Sequence, residues 1–280
     1  MPQQKPLFSI GIIADAQYCD HEPMHGRFYR KSTEKLSEAL QTLNRQQVAF
    51  FLDMGDLIDR DFSSFTPIKK AYKLAQARVY RVLGNHDFSV QEEEKPKVAG
   101  QLGLDPLAYY DFTYLGWRFI MLNGNEVSTF AHPADSPEAK EGQAMLEKLQ
   151  QQNAVNAKPW NAGMSQQQMQ WLESRLNEAA KQNQKTIIVN HFPVYPKDPH
   201  NLWNDDEVLA LLLKYPQVVA YFNGHHHAGN YGRKEHVHFL NFKGMVETED
   251  ENAFALVEVY QDHLQVNGYG REESRRLEIG

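Results

Sequence analysis

Six short apolar runs rich in β-branched and aromatic residues punctuate the chain, and five of them stop at a residue able to hold a metal or move a proton. The runs are FSIGII (8–13), VAFFL (48–52), ARVYRVL (77–83), WRFIML (117–122), TIIV (186–189) and VVAYF (218–222). Each has the length of a buried strand. Between them, 30–44, 64–76 and 165–183 read as amphipathic helices, and Ser165 with Gln168 and Asn204 with Glu207 stand at capping-box spacing. Strand-helix alternation with few hairpin signals predicts an α/β fold. After residue 235 the segments EHVHFLNFK, NAFALVEVY and HLQVNGYG read as antiparallel strands closing a sheet. No repeat, low-complexity segment or long linker interrupts the pattern, so residues 1–280 are expected to form one domain.

The residues at the ends of these runs constrain function. FSIGII leads to Asp15 and Gln17; VAFFL to Asp53, Gly55, Asp56 and Asp59; ARVYRVL to Gly84, Asn85, His86 and Asp87; TIIV to His191; and VVAYF to Gly224, His225, His226 and His227. In α/β sheets the carboxyl ends of the strands converge on one edge, where ligands bind. Carboxylates, amides and imidazoles that are far apart in sequence can therefore meet there. Glycines at 55, 84 and 224 are expected to let the backbone turn sharply.

Composition narrows the chemistry. Cys19 is the only cysteine, which excludes an intramolecular disulfide and a cysteine-based zinc site. A formal net charge of −7 argues against a nucleic-acid partner. Neither G-x-x-x-x-G-K-[ST] nor G-x-G-x-x-G occurs, so attraction for a phosphate would have to come from bound cations. No apolar run approaches the roughly 20 residues that span a bilayer. The N-terminal stretch shows no leader pattern, and no membrane partner and a cytoplasmic location are expected.

D-x-Q, G-D-x-x-D, G-N-H-D, a lone strand-end histidine and G-H-x-H, in that order, resemble the calcineurin-like metallophosphoesterase superfamily. Gln17 departs from the usual D-x-H of its first motif. The segments WNAGMSQQQMQWL (160–172), HFPVYP (191–196), LWNDDEVLALL (202–212) and GMVETEDENAF (244–254) narrow the likeness to the manganese-dependent ADP-ribose/CDP-alcohol diphosphatases. The resemblance implies an α/β/β/α sandwich with two divalent metal ions at the C-terminal ends of its strands. Mn²⁺ is expected, with Mg²⁺, Fe or Zn²⁺ as alternatives. One ion would be held by Asp15, Gln17, Asp56 and His227, and the other by Asp56, Asn85, His191 and His225. Hydrolysis of the pyrophosphate in a small nucleotide substrate, by water acidified between the metals, is the implied reaction. His86 is expected to face the substrate as an imidazolium, oriented by Asp59. Two other readings stand beside this one: a cyclic-nucleotide or other phosphodiesterase with the same centre, and a non-catalytic scaffold.

Some residues weigh towards structure. In extended chain His225 and His227 point one way and His226 the other, which makes His226 a bystander. His236 and His238 read as one face of a late strand, and His21 and His25 as rim residues. Asp53 is expected to cap the turn that presents Asp56, and Asp87 to tie down its own loop. Asn161 and Gly163, just before the helix begun by Ser165, are expected to meet a substrate phosphate. Tyr18, Trp160, Tyr195 and Trp203 are each either core or a platform for a nucleobase. Oligomeric state is not legible.

Overall fold

The computed structural model describes residues 5–279. Among the described residues, twelve strands form two six-stranded sheets. The first contains β1 (Phe8–Ile13), β2 (Phe50–Asp53), β3 (Arg78–Arg81), β10 (Ala253–Val259), β11 (His263–Gly270) and β12 (Arg275–Glu278). Its order is β12-β11-β10-β1-β2-β3, with β1, β2 and β3 mutually parallel and the three late strands antiparallel. The second contains β4 (Tyr110–Tyr114), β5 (Trp117–Met121), β6 (Thr186–Val189), β7 (Val218–Asn223), β8 (Asn230–Lys234) and β9 (Val237–Asn241). Its order is β4-β5-β6-β7-β9-β8, parallel through β5, β6, β7 and β9.

The central strands β1, β2, β5, β6 and β7 are nearly all apolar because both faces of each sheet are buried there, whereas the edge strands β3, β4, β8 and β12 are partly exposed and more polar. Ile10, Ile12, Phe50 and Leu52 of the first sheet share one core with Phe119, Met121, Ile187 and Val189 of the second. Their alternate neighbours point outward. Ile13 and Phe51 pack under the helices Ser32–Arg45 and Phe65–Tyr72, and Ile120 and Ile188 under the helices Gln166–Lys181 and Asp205–Leu212. The layers are thus α/β/β/α. No helix among the described residues is long and apolar enough to cross a membrane.

The expected elements recur with adjustments. The helix read over 64–76 is shorter, Phe65–Tyr72, and the helix Pro137–Gln151 and the strands β4, β8 and β12 had no expectation attached. The three late segments do not close one sheet: β9 joins the second sheet, parallel to β7, while β10 and β11 extend the first. Ser165 caps its helix through Oγ, which accepts from the Gln168 amide at 3.1 Å. The Gln168 side chain does not reach back; it turns inward to Asn123 and Glu126, and Glu126 takes the Ser165 N–H instead. Asn204 makes no cap to its own helix, because its amide is spent on the backbone of Met164.

Candidate metal centre

β1, β2 and β3 of one sheet and β6 and β7 of the other deliver their C-terminal loops to the same end of the sandwich. Asp15, Gln17, Asp56 and His225 all have left-handed backbone there, with φ of 51°, 45°, 55° and 70°. Such conformations cost a non-glycine residue on the order of 1–3 kcal/mol, and they gather at functional sites. Backbone bonds from Asp15 N to Gly55 O (3.2 Å) and from Gln17 N to Asp56 O (2.8 Å) tie the first two loops together. Of the three glycines expected to allow sharp turns, only Gly55 has positive φ, at 91°. Gly84 and Gly224 serve close approach: a Cβ on either would overlap the carboxylate of Asp56 or Asp15.

Asp53 and Asp87 have the structural roles expected of them. Asp53 Oδ1 accepts from Gly55 N at 3.2 Å. Asp87 accepts from the amides of Gly84, Asp56, Leu57 and Ile58 and so joins the second loop to the third. Burial, together with the charge of Asp56, pushes the Asp87 carboxyl up.

The three expected ligand histidines are each oriented by a partner on the ring nitrogen facing away from the cluster. His191 Nδ1 donates to the Met54 carbonyl at 2.7 Å, which turns Nε2 towards Asn85 Oδ1 (3.1 Å) and Asp56 Oδ2 (3.3 Å). His227 Nδ1 donates to Glu247 at 2.7 Å, and its Nε2 lies 3.4 Å from Asp15 Oδ1. His225 Nε2 donates to Asn161 Oδ1 at 2.9 Å, leaving Nδ1 as its lone-pair nitrogen. Fixing the tautomer through the far nitrogen is how proteins prepare imidazoles for metals.

The electrostatics fit divalent cations. Burial would raise the Asp56 carboxyl, but His191 and His86 hold it far below the usual carboxylate range. Burial lowers the imidazoles of His191 and His227; Asp56 overcomes it for His191, and Asp15 with Glu247 for His227, lifting each to about 9. His225, buried beside His191, is pushed well down. His191 Nε2 faces the oxygens of Asn85 and Asp56, and His227 Nε2 faces that of Asp15. Groups so arranged favour a cation between them, and a divalent ion would compete with protons for the same nitrogens.

Gln17 sharpens the fit. Its Nε2 lies 3.0 Å from both Asp56 Oδ2 and His227 Nε2, while its Oε1 is buried without a partner. Turned over, the amide would offer oxygen to the same two neighbours and meet Asp56 oxygen to oxygen. A cation among the three resolves either mismatch. The donors are two carboxylates, two amides and three imidazoles, a set that suits Mn²⁺ and its neighbours in hardness.

His86 stands beside the cluster, its Nδ1 3.0 Å from Asp59 Oδ1, at ion-pair distance though off the line of a hydrogen bond. Arg27 Nη1 donates to His86 Nε2 at 3.3 Å. A guanidinium has no acceptor, so while Arg27 bonds there Nε2 is the accepting nitrogen.

Asn161 and Gly163 differ from expectation. Asn161 is fully buried, donating to Asn156 O and Pro199 O and accepting from His225. Its amide is committed to these partners, among them the expected ligand His225, and is not free for a phosphate. Gly163 exchanges both backbone hydrogen bonds with Val127, so its N–H is not free for a phosphate. Trp160, 45% exposed, lines the cleft over the cluster together with Arg27, Asn85, His86 and His200. Trp203 is buried, Tyr195 packs on Phe239, and Tyr18 bridges to Ile58. His236 and His238 hydrogen-bond to backbone carbonyls, as structural residues do.

His226 is not isolated: it stacks on His200 with centroids 4.3 Å apart and planes at 6°, and Asp198 accepts from His200 at 2.7 Å. An ion cannot lie in both planes of a parallel pair, so the three do not form a ready metal site. Glu247, Arg27 and the Met54 carbonyl carry no sequence signal that marks them for the site. Glu247 is one of four acids in ETEDE, and Arg27 is marked only by the turn residue Gly26 before it.

Residues 8–229 match the family described as calcineurin-like phosphoesterase. The chain is 29% identical to a manganese-dependent ADP-ribose/CDP-alcohol diphosphatase of Arabidopsis thaliana, with 98% of each chain covered. It is 27% identical to the human protein of the same name, covering 96% of this chain and 92% of that one. The crystal structure of a dimetal phosphatase from Danio rerio superposes with a TM-score of 0.89 at 24% identity, over 99% of this chain and 100% of that chain. With its motifs on the strand ends of an α/β/β/α sandwich and the family match running through most of its length, the chain belongs to the calcineurin-like phosphoesterase family.

Proposed function

We propose that the chain is a metal-dependent phosphohydrolase that cleaves the pyrophosphate of nucleoside diphosphate-linked substrates such as ADP-ribose or CDP-alcohols. One observation carries the reading: a buried carboxylate, Asp56, is faced by the imidazole of His191 and the amide of Gln17 in a chain whose near full-length relatives are named for that activity. Asp15, Gln17, Asp56 and His227 would hold one ion, and Asp56, Asn85, His191 and His225 the second. Bound there, the pair, Mn²⁺ by preference, would neutralise phosphate charge and acidify the attacking water.

The chain's own groups do the rest. Met54, Glu247 and Asn161 hold the three imidazoles in orientation. His86 lines the cleft and, once Arg27 turns from it to the substrate and Nε2 carries a proton, stabilises charge on the leaving side, with Asp59 beside Nδ1. Scission within pyrophosphate expels a phosphate monoester, whose second pKa of about 6 makes it a far better leaving group than an alkoxide. The reaction thus relies little on a general acid.

Incubation with ADP-ribose and Mn²⁺ should give AMP and ribose 5-phosphate. Opening of 3′,5′-cyclic AMP with ADP-ribose left intact would overturn the substrate assignment in favour of a cyclic-nucleotide phosphodiesterase.

A further inference from the structure

The cleft over the metal-ligand cluster has a volume of about 290 Å³, and a neighbouring cavity of about 420 Å³ opens beside it. The first lies at the bottom of the range of roughly 300–1,000 Å³ typical of pockets that enclose a small molecule. It has room for part of a nucleotide-linked substrate. The two cavities share two lining residues, Arg27 and His86. Beyond them the second is walled by Met24, Tyr29, Arg60 and Gln91.

Arg27 is the one lysine or arginine lining the cleft over the cluster. Its placement is built into the backbone. Met24 and Arg27 exchange hydrogen bonds at 3.2 and 3.0 Å across a turn whose central residues, His25 and Gly26, have φ of 52° and 84°. Phe28 N then donates to Val246 O at 2.9 Å and Thr248 N to Gly26 O at 3.2 Å, so the turn is fastened to the segment that carries Glu247. The guanidinium is held loosely by comparison, 3.9 Å from Glu247 and 3.3 Å from His86 Nε2. A phosphate with two oxygens in the guanidinium plane is a stronger partner than either.

We propose that Arg27 binds the phosphate that is not attacked, and that the cavity beyond it receives the group which that phosphate carries. This rests on the assignment of a two-phosphorus substrate. In a pyrophosphate one phosphoryl group sits over the metal ligands, and the second, one bridging oxygen away, needs a cation that the ligand set does not provide. Arg27 turns from His86 to meet it. A substrate with a single phosphorus leaves Arg27 unused, which makes this residue a determinant of specificity for diphosphates.

The test is binding to the Mn²⁺-loaded full chain of two nucleotides that differ by one phosphorus, AMP and the non-hydrolysable α,β-methylene-ADP. The unaltered chain should prefer the second. Arg27→Gln should weaken α,β-methylene-ADP by about ten- to a hundredfold, the worth of a charge-assisted hydrogen bond or pair of them, and change AMP by less than about threefold. Arg27→Lys should fall between. A purely structural role would weaken both nucleotides equally in Arg27→Gln; that result, or no preference in the unaltered chain, overturns the proposal. Turnover of ADP-ribose is measured in parallel. If ADP-ribose stays intact while the preference for two phosphates depends on Arg27, the substrate named above fails and the Arg27 site stands.

Discussion

His227 Nδ1 donates to Glu247 Oε1 across 2.7 Å, and that bond leaves the opposite nitrogen aimed at Asp15 and Gln17. Partners of this kind are typically worth ten- to a hundredfold in metal affinity or activity. Glu247→Ala should therefore weaken Mn²⁺ binding by about that factor, while Glu247→Gln, which keeps an acceptor, should lose less. Metal titration of the two variants decides; unchanged affinity in Glu247→Ala removes Glu247 from the site.

Asp56→Asn should abolish the metal pair and nearly all turnover with the fold intact. Gly84→Ala should also lose the metal pair, and lose stability besides, because its Cβ would overlap both the carboxylate and the backbone nitrogen of Asp56. Elemental analysis beside circular dichroism checks both. Two tightly held ions and near-normal turnover in Asp56→Asn would end the shared-carboxylate assignment.

Gln17 offers a neutral amide oxygen, which favours Mn²⁺ or Mg²⁺ over Zn²⁺ and weakens the first ion's hold. Activity should vanish in chelator and return on adding Mn²⁺. Gln17→His should lower the Mn²⁺ concentration required. Full rate in chelator, or a clear preference of the unaltered protein for Zn²⁺, contradicts this account of Gln17.

His86→Ala should slow a pyrophosphate substrate less than an alkyl phosphodiester, whose departing alkoxide needs a proton. General acid catalysis commonly contributes about 10²–10⁴-fold, so the diester rate should fall within that range. Equal losses on the two substrates would show that His86 does not serve the leaving group.

Lys35 Nζ donates to the carbonyls of Glu247 and Thr248 at 2.9 and 2.8 Å. Burial, then the charge of Arg271, pushes its ammonium down to about 8 from 10.5. Between those values the unfolded chain binds the extra proton, so stability should rise as pH climbs from about 8 to 10.5. Urea unfolding at both ends of the window should show the rise, and Lys35→Met should flatten it. A slope unaltered by the substitution assigns the effect elsewhere.

The strands and the ends they present are legible because both signals are local: a buried strand is apolar on both faces, and a polar residue directly after it stands out. Asp15, Gln17, Asp56, Asn85, His191, His225 and His227 all carry that signature, and the structure gathers them at one end. Their supporting residues carry no such local mark. Glu247 lies 20 residues from His227 and 230 or more from Asp15 and Gln17, and nothing in its own segment separates it from Glu249 or Glu251. Asn161 reads wrongly from sequence because a position before a helix suggests an exposed phosphate site, whereas the chain folds back over it and buries the amide under His225. The second capping box fails for a similar reason, since Met164, 40 residues away, competes for the Asn204 side chain.

Asp15, Gln17, Asp56 and Asn85 follow strands of the first sheet and offer oxygen; His191, His225 and His227 follow strands of the second and offer nitrogen. An ion seated among them is a clasp between the two halves of the sandwich, and neither sheet alone presents a site. Its grip then depends on how the sheets slide over one another, which is set by interdigitated rings such as Phe50 and Phe119, with centroids 5.1 Å apart in the core between them. Trimming such a ring should change the oxygen-to-nitrogen spacing at the strand ends, and a metal titration of Phe119→Leu would register it as weaker binding with all seven ligands in place.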